Sequence, residues 1–419
     1  MSRKAYTIGY GHGTRQFELD EERVLLEMAA ARIDTEPDET EEVRRALQNP
    51  IGSPPLTEIV RPGEKICIIT SDITRPCPSA VILPPLLGEL EQAGVHLDDI
   101  TVVFALGSHR RHTDEEQERL VGPAVYSQVH TVDSDPEDTV FLGMTALGTP
   151  VNITSVVAQA DRRICVGNIE YHYFAGYSGG AKALMPGVSD REAIQANHSR
   201  MVEATSRAGE IEHNRLRRDL EEAADICGCD FILNVILSED KRILRAVAGD
   251  HRAAHRAGCT FLDSLYKISV ERRADLVIAT PGGYPKDINL YQAQKALDNA
   301  RHAVKPGGII ILAGACGEGF GEEVFGEWLL AAAKPQDLIE RVKQEFRLGG
   351  HKAVAIAMTL AHAQVYFVSD MDPDDAAKTF MKPYQDLDAA IADALDALGP
   401  DARVIVMPHA GSTLPDVRA

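Results

Sequence analysis

The chain has 419 residues, 44% of them hydrophobic and 25% charged, the balance of an ordinary soluble protein with room for two or three domains. Its 43 Lys and Arg against 63 Asp and Glu leave a formal net charge of −20, which argues against nucleic acid or an anionic membrane as partner, since both are held by clustered cations. No run approaches the roughly 18–20 apolar residues that span a bilayer, and the basic N-terminus lacks the apolar stretch of a signal peptide. The 7 cysteines form no C-x-x-C pair and read as reduced thiols of a cytoplasmic protein.

In chain order, Gly9-Tyr10-Gly11-His12-Gly13 followed by Phe17-Glu18-Leu19 reads as a hairpin. Apolar, β-branched runs then recur at 65–70, 100–105, 163–166 and 231–237, and again at 275–280, 308–313, 364–369 and 403–407. They are near-continuous rather than alternating, as expected of strands covered on both faces. Helical segments lie between them. Capping boxes open two, at Thr113 to Glu116 and Ser189 to Glu192; Pro335 opens another, and Gly349-Gly350 is expected to end it. Alternating strand and helix gives an α/β protein of two domains with largely parallel sheets flanked by helices and an active site in the cleft between them. The expected division is a cofactor-binding domain over 1–265, to which 401–419 returns, and a second domain over 274–400.

Ready-made nucleotide motifs fail. Gly9-x-Gly11-x-Gly13 has the wrong spacing for a dinucleotide fingerprint, and Gly176 to Ala183 misses a phosphate loop because Ala183 lacks the metal-binding hydroxyl. Yet the stretch from Asn168 to Gly187 follows a strand and joins four aromatics, several glycines and Lys182. Glycines let a backbone approach a ligand, and a desolvated lysine becomes a nucleophile or an attachment point. The plain alternative is a turn with a solvated lysine. His109 and His172 follow strands, where ligands of open α/β sheets gather, and His198 lies in the helix after the glycine stretch. His112, one turn past His109, reads as a solvated helix start. The turn Ser71-Asp72-Ile73-Thr74-Arg75-Pro76 offers hydroxyls, a carboxylate and a guanidinium suited to a ribose or phosphate, or simply an Asp–Arg pair closing a turn. Tyr291 and Lys295 are four apart, so a helix would put them on one face with Gln292 nearby, and the three together suit a small carboxylate.

Together these stretches resemble the nickel-dependent lactate racemase family. The resemblance rests on Ser71 to Pro76, Gly107-Ser108-His109-Arg110, Tyr171-His172-Tyr173, Gly179-Gly180-Ala181-Lys182-Ala183-Leu184-Met185-Pro186-Gly187, Asn197-His198 and Tyr291-Gln292-Ala293-x-Lys295. It implies a nickel-pincer nucleotide, a pyridinium-3,5-bisthiocarboxylic acid mononucleotide bearing nickel and joined covalently to Lys182. It further implies His198 as nickel ligand, with Asp72, Ile73, Thr74, Arg75 and Pro186 around the nucleotide and cofactor-synthesis machinery as a partner. His109 and His172 would be the acid/base pair, and Arg75, Tyr291, Gln292 and Lys295 would bind the substrate. The implied activity is interconversion of D and L forms of a small 2-hydroxy acid, lactate or a close relative, by hydride removal and return. Rival expectations are a larger acid (malate, an aryl-lactate or a sugar acid, with His351 and Lys352 near the pocket), a zinc hydrolase built on the three histidines, and a hydroxy-acid-binding protein without catalysis.

Overall fold

The computed structural model describes residues 2–31, 37–238 and 240–417, and divides into two compact units, Ile33–Ser264 and Met1–Arg32 with Leu265–Ala419. Among the described residues no helix is long and apolar enough to cross a membrane.

The unit Ile33–Ser264 is built on a 6-stranded sheet. Its strands run in the order Ile243–Gly249, Phe231–Leu237, Arg162–Asn168, Ile66–Ser71, Ile100–Ala105 and His130–Asp133. All pair in parallel except the first, which is antiparallel to its neighbour. The expected strands are present, and the central ones are buried along nearly their whole length, which explains their unbroken apolar runs. Ile66, Ile68, Val102, Phe104 and Ile164 pack with Ile82, Leu83, Leu86 and Leu90 of the helix Ser79–Gln92. Chain order reverses at Ile66–Ser71, whose neighbours are the next strand on one side and a much later one on the other. In such sheets the crevice beyond the carboxyl ends at the reversal is where ligands bind.

The other unit holds a wholly parallel 6-stranded sheet in the order Lys382–Tyr384, Gln364–Val368, Val304–Ala313, Ala274–Ala279, Val404–Met407 and Val24–Glu27. Two expectations are corrected here. Residues 401–419 do not return to the first domain, because Val404–Met407 lies between Ala274–Ala279 and Val24–Glu27. Nor does the N-terminus belong to that domain: the hairpin of Arg3–Tyr10 with Gly13–Asp20 turns Tyr6, Ile8, Tyr10, Phe17 and Leu19 onto Leu276, Ile278, Ile309 and Ile311. The two units divide between Ser264 and Leu265.

Local signals held in part. Thr113 and Glu116 form the reciprocal capping box, and Pro335 opens the helix Pro335–Gln344. At the other box Asp190 is the cap, accepting from Ala193 N at 2.8 Å, while the Ser189 hydroxyl is spent on Leu184 O at 2.9 Å. Gly349 and Gly350 do not end a helix; they begin Gly350–Leu360, with Gly349 at φ +91°. His351 and Lys352 therefore lie in a first helical turn, not at the carbonyl end of the helix before it.

Candidate active site

Three loops carry the candidate residues, each leaving the carboxyl end of one of the adjacent strands Arg162–Asn168, Ile66–Ser71 and Ile100–Ala105. After Ile66–Ser71, Asp72 turns inward and is 2% exposed. Its Oδ2 lies 2.6 Å from Nδ1 of His109, which comes from the loop after Ile100–Ala105. The Thr74 hydroxyl donates to both carboxylate oxygens, at 2.9 and 3.1 Å. Burial alone would raise the Asp72 pKa, but the bonds from His109 and Thr74 and the charge of Arg75 outweigh it and hold the carboxyl below its usual range. An ionised carboxylate only accepts, so Nδ1 of His109 carries the proton and Nε2 bears the lone pair. Asp72 thus grips a histidine, a use the sequence reading, which gave it to the nucleotide, did not see.

The third loop begins with a short hairpin pairing Tyr171 with Tyr177 and His172 with Gly176. Both phenols reach Asp263 Oδ1, at 2.9 and 2.7 Å, which ties the hairpin to the helix behind it. Only glycine fits at 176: φ is +77°, and a Cβ would sit 2.1 Å from Glu210 O. Nδ1 of His172 accepts from Ala175 N at 3.3 Å, so in the neutral ring Nε2 carries the proton. The two histidines therefore hold opposite tautomers.

Phe174 is the hub of this loop. His172 meets its ring at 4.4 Å between centroids, His198 meets it at 4.8 Å, and Nζ of Lys182 lies 5.6 Å from its centroid. Lys182 and His198 thus flank one aromatic ring. Desolvation first, then the positive charges of Arg75 and Arg217, push the Lys182 amine well below the usual lysine range. A neutral amine there can act as a nucleophile. Pro186, after a cis peptide bond with Met185, sits beside Gly187, whose carbonyl accepts from Gly107 N at 2.8 Å and so ties this segment to the loop of His109.

Buried polar chains hold these groups, and they were not legible from sequence. His198 closes the helix Arg191–His198, and its Nδ1 faces Asn197 Oδ1 at 3.0 Å, leaving Nε2 with the lone pair. Asn197 donates in turn to Asp219 Oδ2 at 2.7 Å, and Asp219 also accepts from Thr145 and Thr149. Arg217, fully buried, donates to Tyr177 O and pairs with Glu221, and Asn234 Oδ1 accepts from Gly180 N at 2.7 Å. The one faint signal was the Arg217–Glu221 spacing of four on an amphipathic helix.

In the other unit, Asn289 caps the helix Leu290–Ala303 by accepting from Gln292 N at 3.0 Å, so Tyr291 and Lys295 share a helical face as expected. The Lys352 ammonium lies 3.4 Å from the Tyr291 ring centroid and donates to Tyr291 O at 3.0 Å.

A histidine backed by a carboxylate, a second histidine of opposite tautomer and a desolvated lysine, all in loops at the strand ends of an α/β sheet, are groups of the class that can move protons. Comparison with known proteins gives the family. The model of the lactate racemase N-terminal domain matches residues 10–209 and that of the lactate racemase C-terminal domain matches 270–414. The chain is similar to the lactate racemases of Thermoanaerobacterium thermosaccharolyticum, at 33% identity over 97% of this chain and 98% of the relative, and Lactiplantibacillus plantarum, at 36% over 96% and 98%. Its structure is similar to the lactate racemase apoprotein from Thermoanaerobacterium thermosaccharolyticum, with a TM-score of 0.88 at 32% identity over 99% of this chain and 100% of that one. A protein from Thermotoga maritima shares the fold, with a TM-score of 0.64 at 15% identity over 92% of this chain and 100% of that one. The chain belongs to the lactate racemase family, a family of isomerases acting on a hydroxy acid.

Proposed function

We propose that this protein interconverts the D and L forms of lactate or a closely related small 2-hydroxy acid, with a nickel-pincer nucleotide tethered to Lys182. The observation that carries the reading is the grouping of His172, His198 and Lys182 around the Phe174 ring, on a loop bonded through Gly187 to that of His109.

The residues fit such a group. Lys182 offers an amine that burial shifts towards its neutral form, the form able to accept an acyl or thioacyl arm. His198 offers Nε2, with its other nitrogen oriented by Asn197, the usual arrangement behind a metal-bound imidazole. One imidazole would suffice for nickel if the cofactor's own donor atoms supplied the rest of its ligands. A zinc hydrolase would instead need several side chains converging, and no group of three or more His, Cys, Asp or Glu able to hold a metal occurs among the described residues.

When bound, the cofactor would supply an electrophilic ring carbon that takes the α-hydrogen as hydride and returns it. The chain's own residues handle the proton. His109, with Nε2 unprotonated, accepts the substrate hydroxyl proton, and the Asp72 carboxylate stabilises the imidazolium that results. To form the opposite hand, His172 would be the proton donor: it takes a proton from solvent, gives up the bond from Ala175 N to become the imidazolium, protonates the oxygen and returns to the neutral ring, while His109 releases its proton to solvent. For the other hand of substrate, neutral His172 accepts the hydroxyl proton and the His109 imidazolium returns one. Asp72 to Arg75 and Pro186 are the residues proposed for the nucleotide, and Tyr291, Gln292, Lys295 and Arg75 those proposed for the substrate carboxylate. A cytoplasmic location suits the free cysteines, and the partner is the machinery that makes the cofactor.

The test is chiral chromatography of enantiopure L-lactate after incubation with cofactor-loaded protein. A D:L ratio approaching one, abolished by Lys182→Ala, supports the reading. An unchanged enantiomer from protein that carries nickel overturns it.

A further inference from the structure

His112 is not the solvated residue its place before a helix suggests. Its side chain is 1% exposed and that of Asp133 is 5% exposed. Asp133 ends the edge strand His130–Asp133 and grips His112 twice: Oδ2 accepts from His112 N at 2.7 Å, and Oδ1 lies 2.6 Å from His112 Nδ1. The Phe104 ring packs edge-on against the imidazole at 5.2 Å. The remaining ring nitrogen, Nε2, lies 3.1 Å from the backbone N of Ile73. A backbone N–H can only donate, so Nε2 must be the acceptor, Nδ1 carries the proton, and Asp133 fixes that tautomer.

The consequence lies one residue away. Ile73 adjoins Asp72, and Asp72 holds His109. The two loops therefore clasp each other: loop 71–76 presents Asp72 to His109, and loop 106–113 presents His112 to Ile73. Two residues three apart on one loop engage two adjacent residues on the other. Beyond the strand pairing that ends at Ser71 and Ala105, the loops are joined by this reciprocal pair and by the Thr74 hydroxyl 3.4 Å from His109 Nδ1, so the His112–Ile73 bond helps set how far Asp72 stands from His109.

Resting on the reading of His109 as an acid/base residue, we infer that His112, backed by Asp133, is a positioning residue for it. Through Ile73 it fixes the carboxylate that orients His109 and takes no direct part in proton transfer. A shift near 1 Å at a catalytic group costs on the order of 100-fold in rate. Loss of the Ile73 bond is expected to lower kcat about 10- to 100-fold and leave KM within about twofold, because the substrate carboxylate is held by other residues.

Three variants test this. His112→Ala removes both bonds. His112→Asn keeps a short amide near Asp133 but does not reach Ile73. His112→Gln places an amide oxygen where Nε2 stood. The expected order of kcat is wild type, then His112→Gln, with Asn and Ala well below. In apoprotein, hydrogen exchange at the Ile73 amide should be slow in wild type and His112→Gln and fast in the other two. Combining His112→Ala with Asp72→Asn should cost less than the product of the single losses, since both act through one carboxylate. Equal rates in all three variants, a loss confined to KM, or fully multiplicative losses would overturn the inference. If His112→Ala does not fold, the contrast between Gln and Asn still decides. Should His109→Ala keep near-normal racemisation, the reading of His109 fails, while Ile73 exchange continues to report on the clasp.

Discussion

Replacing Asp72 by Asn probes the site at its best-defined bond. The carboxylate is buried, lies 2.6 Å from His109 Nδ1 and is supported by Thr74 and Arg75. Asn keeps the shape and an oxygen that can accept from Nδ1, so the His109 tautomer survives while the negative charge does not. A hydrogen bond to a charged group contributes about 1.5–3 kcal/mol and a neutral one about 0.5–1.5, so the variant loses about 1–2 kcal/mol of support for the imidazolium. As that cation exists only after the proton has been taken, the loss falls on kcat, by about 5- to 30-fold, with KM little changed. The assay is the initial rate of L-lactate loss and D-lactate gain on loaded protein at several substrate concentrations. A kcat within twofold of wild type would show that the Asp72–His109 pair is structural and refute the acid/base assignment built on it.

Other outcomes follow from the same structure. Gly176→Ala should destabilise by about 2–4 kcal/mol in urea denaturation, combining a left-handed φ of +77° with a clash at Glu210 O, whereas Gly63→Ala, at φ +83° in open space, should cost only about 1 kcal/mol. Glu221 is opposed by burial but held by Arg256 and Arg217 at a pKa of about 2, against 4.5 when unfolded. Being depressed, it contributes about 3 kcal/mol of stability above pH 4.5 that is lost as pH falls towards 2, so Glu221→Gln should flatten the pH dependence of stability over that window. In apoprotein, Lys182 should react with acetic anhydride at lower pH than Lys65, whose amine is raised by a bond to Asp99; parallel pH profiles for the two lysines would contradict a desolvated amine at 182.

Much of this architecture could be read from the chain. Parallel strands buried on both faces are written as unbroken apolar runs, so 66–71, 100–105 and 231–237 were visible with nearly correct ends. Edge strands were not: Val24–Glu27 and His130–Asp133 are 4 residues each and only partly buried, without the composition that marks a strand. Strand partnership was also hidden, because Val404–Met407 reads like any parallel strand and nothing in it names its neighbours. That is why both chain ends were placed in the wrong unit. At the site, glycines and aromatics announced the Lys182 loop, since chemistry there demands unusual residues. The groups behind them are ordinary residues of ordinary helices and strands. Asp219 behind Asn197 and Asp133 behind His112 come from distant segments and meet only when the sheet forms.

The central claim concerns the amine at position 182. Peptide mass spectrometry of Lys182, together with nickel content, in a preparation that actively racemises lactate addresses it directly. The account predicts a covalent adduct on that lysine and about one nickel per active chain. Full racemase activity with Lys182 unmodified would contradict it.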